Sequence, residues 1–225
     1  MIHFECDYAE GCCQEILDAL SATNLEQTSR YGEDVYCQRA REKIKELCNT
    51  PEAQVFFLSG GTQANLTVIS AALRPHQGVI SPDSGHISVH ETGAIEACGH
   101  KVISLPSKDG KLTVSQIEDC YNSHWNDSSY AHMVQPAMVY ISFPTEGGLL
   151  YTLKELEEIS SVCKKCNLLL FVDGARMGYG LASPANDCSL EDFGRLCDVF
   201  YIGGTKVGAL FGEALVTTNK NLHSE

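Results

Sequence analysis

Short apolar runs alternate along the chain with longer segments whose apolar positions recur at helical spacing. The short runs predict seven strands, at residues 55–58, 79–81, 102–105, 137–143, 168–172, 199–202 and 213–217. The longer segments predict seven helices, at residues 12–22, 33–48, 62–73, 87–97, 113–121, 153–166 and 190–196. The run at 168–172 is apolar throughout, which is typical of a strand covered on both faces. This alternation predicts an α/β protein with three α/β/α layers and a seven-stranded, mostly parallel sheet.

The connection between the last two predicted strands gives the sheet one antiparallel strand. Only residues 203–212 separate these strands, and they are rich in glycine and lack a helical pattern. A parallel crossover normally needs about a dozen residues or more. If the two strands are neighbours, they are therefore antiparallel. The polar stretch at 122–132 is predicted to be a surface loop.

Composition and charge exclude several classes of protein. With 225 residues, 44% of them apolar, the chain is predicted to be globular. The formal net charge of −13 and the scattered Lys and Arg residues argue against binding to nucleic acid or to an anionic membrane. The N-terminus lacks the apolar core of a signal peptide, and the longest apolar run is far too short to span a bilayer. We therefore expect a cytoplasmic protein without nucleic-acid or membrane partners.

The eleven cysteines are expected to be reduced and to act mainly as small hydrophobic residues. Cys163 and Cys166 have the spacing of a metal or redox pair, but no second such pair and no histidine pair accompanies them. They also fall within a predicted helix. No metal site is predicted from them.

Lys206 is the only cation in residues 199–216, which are otherwise apolar, glycine, threonine or a single glutamate. Burying an ammonium group is costly unless the charge is paired or consumed. A lysine that forms an imine with a carbonyl compound loses this charge and becomes a covalent anchor. The alternative is a surface lysine on a glycine-rich turn between two strands.

Other polar segments also follow predicted strands, where the ligands of open α/β sheets collect. Residues 59–65 place two glycines at a helix start that can bind a phosphate, although such a turn into a helix is common. Asp173 and Arg176 follow the fully apolar strand, where they can hold a ligand or simply pair with each other. His86 and His90 are four residues apart, but the segment fits neither common zinc-protease motif.

Together these positions match the requirements of pyridoxal phosphate. That cofactor needs a lysine for its imine bond, a carboxylate for its ring nitrogen, a phosphate-binding turn and a flat side chain against its ring. Lys206, Asp173, the turn at 61–62 and His86 supply one group each. Pyridoxal 5'-phosphate is the predicted cofactor.

The motifs resemble those of the low-specificity L-threonine aldolases, in the beta-eliminating lyase branch of fold type I pyridoxal-phosphate enzymes. The matching segments are Tyr31-Gly-Glu-Asp34, Ser59-Gly-Gly-Thr-Gln-Ala-Asn65, Gly85-His86 with Glu91-Thr-Gly-Ala94, Phe171-Val-Asp-Gly-Ala-Arg176 and Gly203-Gly-Thr-Lys206. The resemblance implies the large domain of the pyridoxal-phosphate-dependent transferase-like fold. It also implies retro-aldol cleavage of L-threonine and related β-hydroxy-amino acids to glycine and acetaldehyde.

The resemblance further implies a role for each site residue. Lys206 forms the imine bond to the cofactor, and Asp173 pairs with the ring nitrogen. His86 stacks on the ring and helps to deprotonate the substrate hydroxyl, while Arg176 contacts the substrate carboxylate and the phenolic oxygen side of the cofactor. The implied cofactor-binding set is Gly61, Thr62, Gln63, His86, Asp173, Arg176 and Lys206, and the implied substrate-binding set is Cys6, Tyr31 and Arg176.

The chain departs from the family pattern in three places. Cys6-Asp7-Tyr8 stands where the family usually has Ser-Asp-Thr, and Glu146, in the segment 144–148, stands where many members have histidine. Both differences bear on the substrate. The family continues into a small C-terminal domain, so the chain is expected to be the large domain of a longer protein. Residues 1–45 would form a helical segment at the active site and the oligomer interface, and residues 46–225 the cofactor-binding domain.

The resemblance also predicts the partners of the chain. Active sites of the family lie at a dimer interface, with the segment at 31–34 approaching from the neighbouring subunit. A homodimer or homotetramer acting on a small amino acid is therefore expected. Two alternatives stay open: another fold type I amino-acid enzyme such as a β-eliminating lyase, and a cofactor-binding fragment with impaired catalysis.

Overall fold

The fold is built from strands and helices that alternate along the chain. The computed structural model describes residues 5–223. The strands are β1 (Gln54–Leu58), β2 (Gln77–Pro82), β3 (Lys101–Leu105), β4 (Gln135–Ser142), β5 (Leu169–Asp173), β6 (Val199–Gly203) and β7 (Glu213–Thr217). The helices are α1 (Gln14–Thr23), α2 (Val35–Leu47), α3 (Gly61–Ala72), α4 (His86–Val89), α5 (Ala94–Ala97), α6 (Val114–Trp125), α7 (Leu153–Lys165), α8 (Met177–Ala182) and α9 (Leu190–Leu196). Short 3₁₀ helices cover Tyr130–His132 and Lys220–Leu222.

The seven strands form one sheet in the order β1-β7-β6-β5-β4-β2-β3. Strand β7 is antiparallel to both of its neighbours, β1 and β6, and the other pairs are parallel. The predicted antiparallel pairing of the last two strands is confirmed, with Val199 opposite Thr217 and Gly203 opposite Glu213. Because β1 is antiparallel to β7, it runs in the same direction as β6. The carboxyl ends of every strand except β7 therefore lie along one edge of the sheet.

Helices cover both faces of this sheet. Side chains of a strand point alternately to its two faces, and successive residues of β4 accordingly belong to different apolar clusters. Val139 and Ile141 pack in a cluster with residues of α7 and α9, whereas Tyr140 packs in a second cluster with residues of α3 and α5. The predicted three-layer α/β/α architecture is confirmed.

The segment predicted as a single helix at 87–97 consists of two short helices, α4 and α5. Between them, Thr92 and Gly93 have φ values of 54° and 72°, in the left-handed region that ends a right-handed helix. The preceding residue, Glu91, turns its carboxylate into the interior, where it bonds Asn65 and His86. The buried contacts of Glu91 with Asn65 and His86 interrupt the helix. The spacing of apolar residues along the chain does not predict such contacts.

Two other segments also differ from the prediction. Part of the stretch predicted as a loop continues α6 as far as Trp125, whose ring packs 4.9 Å from that of His124 and 5.2 Å from that of Tyr130. Helix α8 is not predicted, because its two glycines lower helix propensity. Packing requires one of them, since a Cβ on Gly180 would lie 2.8 Å from the Phe143 ring.

The N-terminal helices lie on the outside of the sheet. Helices α1 and α2 contain no buried residue. The α2 helix begins after Asp34, whose carboxylate accepts from the Cys37 N–H at 2.9 Å, and Arg41 Nε donates to Val55 O of β1 at 3.0 Å. Helix α2 is thus attached to the β1 edge. Residues 1–4 of the predicted N-terminal segment lie outside the described residues.

The cysteines lie in the described part of the chain as free thiols. Cys163 and Cys166, at the end of α7, are both buried. Burial raises the pKa of the Cys163 thiol, which favours the neutral form. This pair therefore acts as part of the apolar packing beneath β5.

Candidate functional site

A pocket of about 270 Å³ opens at the edge of the sheet where the parallel strands end. This volume is near the lower end of small-molecule sites, which span about 300–1,000 Å³. Six of the residues proposed from the sequence line the pocket: Gly61, Thr62, His86, Asp173, Arg176 and Lys206. Parallel strand direction brings these distant segments together. The pocket is therefore the candidate active site.

Lys206 lies on the connection from β6 to β7, which a buried carboxylate holds in shape. Glu213, 4% exposed, accepts from the Gly204 N–H at 3.1 Å and from the Thr205 hydroxyl at 2.8 Å. Thr205 Oγ1 in turn accepts from the Gly212 N–H at 3.2 Å. Burial raises the pKa of Glu213. Glu213 therefore holds the loop that carries Lys206 in a fixed conformation.

The ammonium group of Lys206 forms no ion pair within residues 5–223. Its Nζ lies 5.6 Å from the centre of the Tyr8 ring, a weak cation–π contact. A lysine in a pocket without a carboxylate partner is available to a ligand. Within residues 5–223 no carboxylate pairs with Lys206, and its covalent role stays a prediction.

Asp173 ends β5 and receives hydrogen bonds from four sides. The hydroxyls of Tyr140 and Tyr201 each donate at 2.5 Å, Asn65 Nδ2 donates at 3.1 Å, and the Ala175 N–H donates at 3.0 Å. The carboxylate is 4% exposed. These four donors hold the carboxylate in a fixed orientation at the pocket. Asp173 is therefore suited to face a cationic group of a ligand.

His86 is held by a buried network that extends to Asp173. Its Nδ1 lies 2.7 Å from Glu91 Oε1, which also accepts from Asn65 Nδ2 at 2.8 Å. The same Asn65 amide donates to Asp173, so one NH₂ group bridges two buried carboxylates. The hydrogen bond to Glu91 raises the pKa of His86. The network fixes the imidazole in orientation and favours its protonated form.

The turn into α3 has exposed backbone donors of the kind that suit an anion. Gly60 precedes the helix, and no side chain caps its first N–H groups. Uncapped N–H groups and the helix dipole together favour a phosphate. A Cβ on Gly61 would lie 3.0 Å from the Tyr201 hydroxyl, so the turn packs closely on β6.

Arg176 meets an acidic residue of the N-terminal segment. Its guanidinium binds the Asp7 carboxylate through two hydrogen bonds, from Nε and from Nη2. The hydrogen bond from Arg176 lowers the pKa of Asp7. Farther along the same segment, the Cys13 N–H donates to Gly208 O at 3.1 Å. The N-terminal segment therefore crosses the mouth of the pocket and places a carboxylate on Arg176.

Three residues proposed from the sequence do not line the pocket in the single chain. Gln63 uses its side-chain oxygen to accept from the N–H and the hydroxyl of Ser59, both within the turn before α3. Cys6 lies two residues before Tyr8, which lines the pocket, and Tyr31 is 94% exposed with φ of 60°. Their proposed roles stay predictions.

The sequence reasoning missed the residues that hold the site in place. These are Asn65, Glu91, Tyr140, Tyr201 and Glu213, each buried and bonded to a pocket residue or to its loop. The tyrosines carry the one recognisable signal, since a phenol within an otherwise apolar strand needs a partner for its hydroxyl. The sequence does not identify that partner.

Neither a metal site nor a membrane-spanning helix is found within residues 5–223. No group of three or more His, Cys, Asp or Glu side chains is arranged to hold a metal ion. None of the helices in this part of the chain is long and apolar enough to cross a membrane. His86 and His90, with ring centres 5.8 Å apart, both lie at the pocket without a further ligand set.

Comparison with protein families gives a match over nearly the whole chain. The profile of the family described as beta-eliminating lyase matches residues 4–224. The low specificity L-threonine aldolases of Pseudomonas aeruginosa and of a Pseudomonas sp. are 31% and 32% identical over 221 residues. These alignments cover 97% of this chain and 62% of each relative.

A solved structure gives the same result in three dimensions. The threonine aldolase of Leishmania major superposes with a TM-score of 0.92 at 52% sequence identity. The superposition covers 96% of this chain and 62% of that one. The resemblance drawn from the motifs is confirmed by these matches.

Proposed function

The chain belongs to the beta-eliminating lyase family, and from this premise we propose that it forms the cofactor-binding part of a pyridoxal-phosphate-dependent aldehyde-lyase. The proposed reaction is retro-aldol cleavage of L-threonine and related β-hydroxy-amino acids to glycine and an aldehyde, which is acetaldehyde for threonine. The chain spans 62% of the length of the two Pseudomonas relatives. The proposal therefore concerns the intact protein.

The observation that carries this proposal is the set of groups that meet in one pocket. Pyridoxal phosphate presents an aldehyde, a pyridine nitrogen, a flat ring and a phosphate, and each has a counterpart of matching chemistry. Lys206 would bind the aldehyde carbon, Asp173 the ring nitrogen, His86 the ring face and residues 60–62 the phosphate. When bound, the cofactor supplies an acceptor for the electron pair of the breaking Cα–Cβ bond.

The residues of this chain would orient the substrate. Arg176 is the cation of the pocket that can hold the substrate carboxylate, through the two parallel hydrogen bonds that a guanidinium offers. Asp7 occupies that position in the structure, so a substrate must displace it. His86 and Glu146 are the pocket groups that can face the β-hydroxyl, and the resemblance assigns its deprotonation to His86 or to a water that it holds.

We also propose that residues 1–45 contribute to an interface of a homodimer or homotetramer, with residues 46–225 as the cofactor-binding domain. Three observations support the interface. Helices α1 and α2 bury no residue, Leu20 is about half exposed, and Leu25 and Tyr31 are almost fully exposed. Exposed large apolar side chains that form a patch are typical of interaction surfaces. Tyr31 would then reach the pocket of a neighbouring subunit.

The test uses the intact protein loaded with pyridoxal phosphate and supplied with L-threonine. Glycine is quantified by chromatography and acetaldehyde by a coupled reduction, and both are expected in equal amounts. Lys206→Ala is expected to abolish both products. Borohydride reduction followed by mass spectrometry should place the cofactor on Lys206. Release of ammonia and a keto acid, or an adduct on another residue, would contradict the proposal.

A further inference from the structure

Residues 7–13, named here the strap, contact two cationic side chains of the pocket. The Arg176 guanidinium donates to the Asp7 carboxylate from Nε and, at 3.0 Å, from Nη2. The next residue, Tyr8, lines the pocket and places its ring centre 5.6 Å from Lys206 Nζ. Two neighbouring residues of the strap thus lie on the two side chains to which the proposed function directs the substrate carboxylate and the cofactor.

The strap is held by few contacts. At its far end the Cys13 N–H donates to Gly208 O at 3.1 Å, directly before α1 begins at Gln14. At its near end the Asp7 side chain is 40% exposed and that of its partner Arg176 is 33% exposed. None of the residues 7–13 is buried. A segment that buries no side chain and has an exposed backbone opens at a low cost in free energy.

A bound α-amino acid needs the place that the strap occupies. In the proposed function Arg176 holds the substrate carboxylate, and the amino group is directed to the cofactor on Lys206. One carbon atom separates these two groups of an amino acid, so the molecule lies between the two side chains that Asp7 and Tyr8 contact. The Asp7 carboxylate offers the guanidinium the same pair of oxygens that a substrate offers. The strap and the substrate therefore compete for one position.

The pocket provides no second guanidinium that could relieve this competition. Arg176 is the only arginine among the pocket-lining residues in the part of the chain that the structure describes. The hydrogen bond from Arg176 also lowers the pKa of Asp7. Asp7 is therefore a carboxylate at neutral pH, where a substrate amino acid carries its own carboxylate.

We propose that the strap is an autoinhibitory element, in which Asp7 takes the place of the substrate carboxylate on Arg176 until an amino acid displaces it. The inference rests on the proposed function and concerns the regulation of its site. Ion pairs that are exposed to this extent are weak. The strap is therefore expected to lower the affinity for an amino acid by about two- to fivefold without closing the site.

The test compares glycine with methylamine, which is glycine without its carboxylate. Both ligands carry the amine that combines with the cofactor, and neither has a Cα–Cβ bond to cleave. Binding to the intact protein loaded with pyridoxal phosphate is measured by titration, from the absorbance change of the cofactor. Asp7→Asn removes the charge of Asp7 and keeps the size of its side chain.

In Asp7→Asn, the affinity for glycine is expected to rise by about two- to fivefold, because a neutral amide competes less well for the guanidinium. The affinity for methylamine should stay unchanged. Glu10→Gln removes the same charge from an exposed residue of the strap outside the pocket lining, and it should leave both affinities as in wild type. Asp7→Glu keeps the carboxylate and should keep the wild-type preference between the two ligands.

Hydrogen exchange followed by mass spectrometry measures the release of the strap without reference to catalysis. In wild type, glycine should speed the exchange of backbone amides in the peptide that contains residues 7–13, and methylamine should not. In Asp7→Asn, this peptide should exchange faster than in wild type before any ligand is added.

Two outcomes would overturn the proposal. Weaker binding of glycine to Asp7→Asn would show that Asp7 holds Arg176 in position for the substrate. An unchanged affinity for glycine would show that the substrate carboxylate uses other donors of the pocket. A protein that shows the expected gain for glycine but releases no acetaldehyde from L-threonine would refute the proposed function and leave the competition by the strap supported.

Discussion

Tyr140→Phe tests whether the hydrogen bonds to Asp173 stabilise the fold as well as the site. The Tyr140 hydroxyl donates to Asp173 Oδ2 at 2.5 Å from a position with no solvent exposure. The substitution removes one hydrogen bond to a charged acceptor and leaves the ring in place. Such a bond contributes about 1.5–3 kcal/mol. For a chain of this size, the expected decrease in Tm is about 3–12 °C.

The pH dependence of the free energy of unfolding provides a second quantity by which wild type and Tyr140→Phe can be compared. Burial and the charge of Asp173 raise the pKa of Tyr140 and of Tyr201 well above their usual range. Above about pH 10, the unfolded chain loses these phenolic protons while the folded chain keeps them. The free energy of unfolding therefore falls by about 1.4 kcal/mol per pH unit for each tyrosine. The stability that each tyrosine contributes is fully present below about pH 10 and is lost as the pH rises towards the folded-state pKa of that tyrosine.

Urea unfolding of the cofactor-free protein, followed by circular dichroism at several pH values, measures both effects. Tyr140→Phe should be less stable than wild type at pH 7, and the difference should narrow by about 1.4 kcal/mol per pH unit above pH 10. Tyr201→Phe should behave in the same way. Tyr130→Phe, at a position that is 44% exposed, is the matched control and should stay within about 0.5 kcal/mol of wild type. A Tyr140→Phe protein with wild-type stability and an unchanged alkaline slope would refute the reasoning.

Two further predictions concern the histidine network and the subunit interface. Glu91→Gln should lower the pKa of His86, measured by NMR titration of the ring. Because the hydrogen bond to Glu91 raises this pKa, the stability that it adds is present at acidic pH and is lost as the pH rises through the folded-state pKa of His86. The difference in stability between wild type and Glu91→Gln should therefore shrink as the pH rises. An unchanged His86 titration would contradict the network. Light scattering of the intact protein should give at least twice the mass of one chain, and Leu20→Asp should lower it; a monomer with full activity would exclude the proposed interface.

The prediction of strands from sequence succeeded because it depends on local chemistry. All seven predicted strands exist, and the last coincides with Glu213–Thr217. The ten residues before it are too few for a parallel crossover, so its antiparallel direction follows from the length of the connection once β6 and β7 are neighbours. The prediction of a single helix at 87–97 was wrong for a non-local reason, because Glu91 turns inwards and bonds Asn65, 26 residues earlier in the chain.

The sequence by itself determined the alternation of strands and helices and the positions of Lys206 and Asp173, because a charged residue within an apolar stretch is visible without knowledge of its neighbours. Only the tertiary structure decided which groups surround them. Tyr140 and Asn65 reach Asp173 from 33 and 108 residues away. Their meeting depends on the strand order and on the packing of α3 against the sheet. Local periodicity assigns each side chain to a face, but the partner across that face is chosen by how the layers pack.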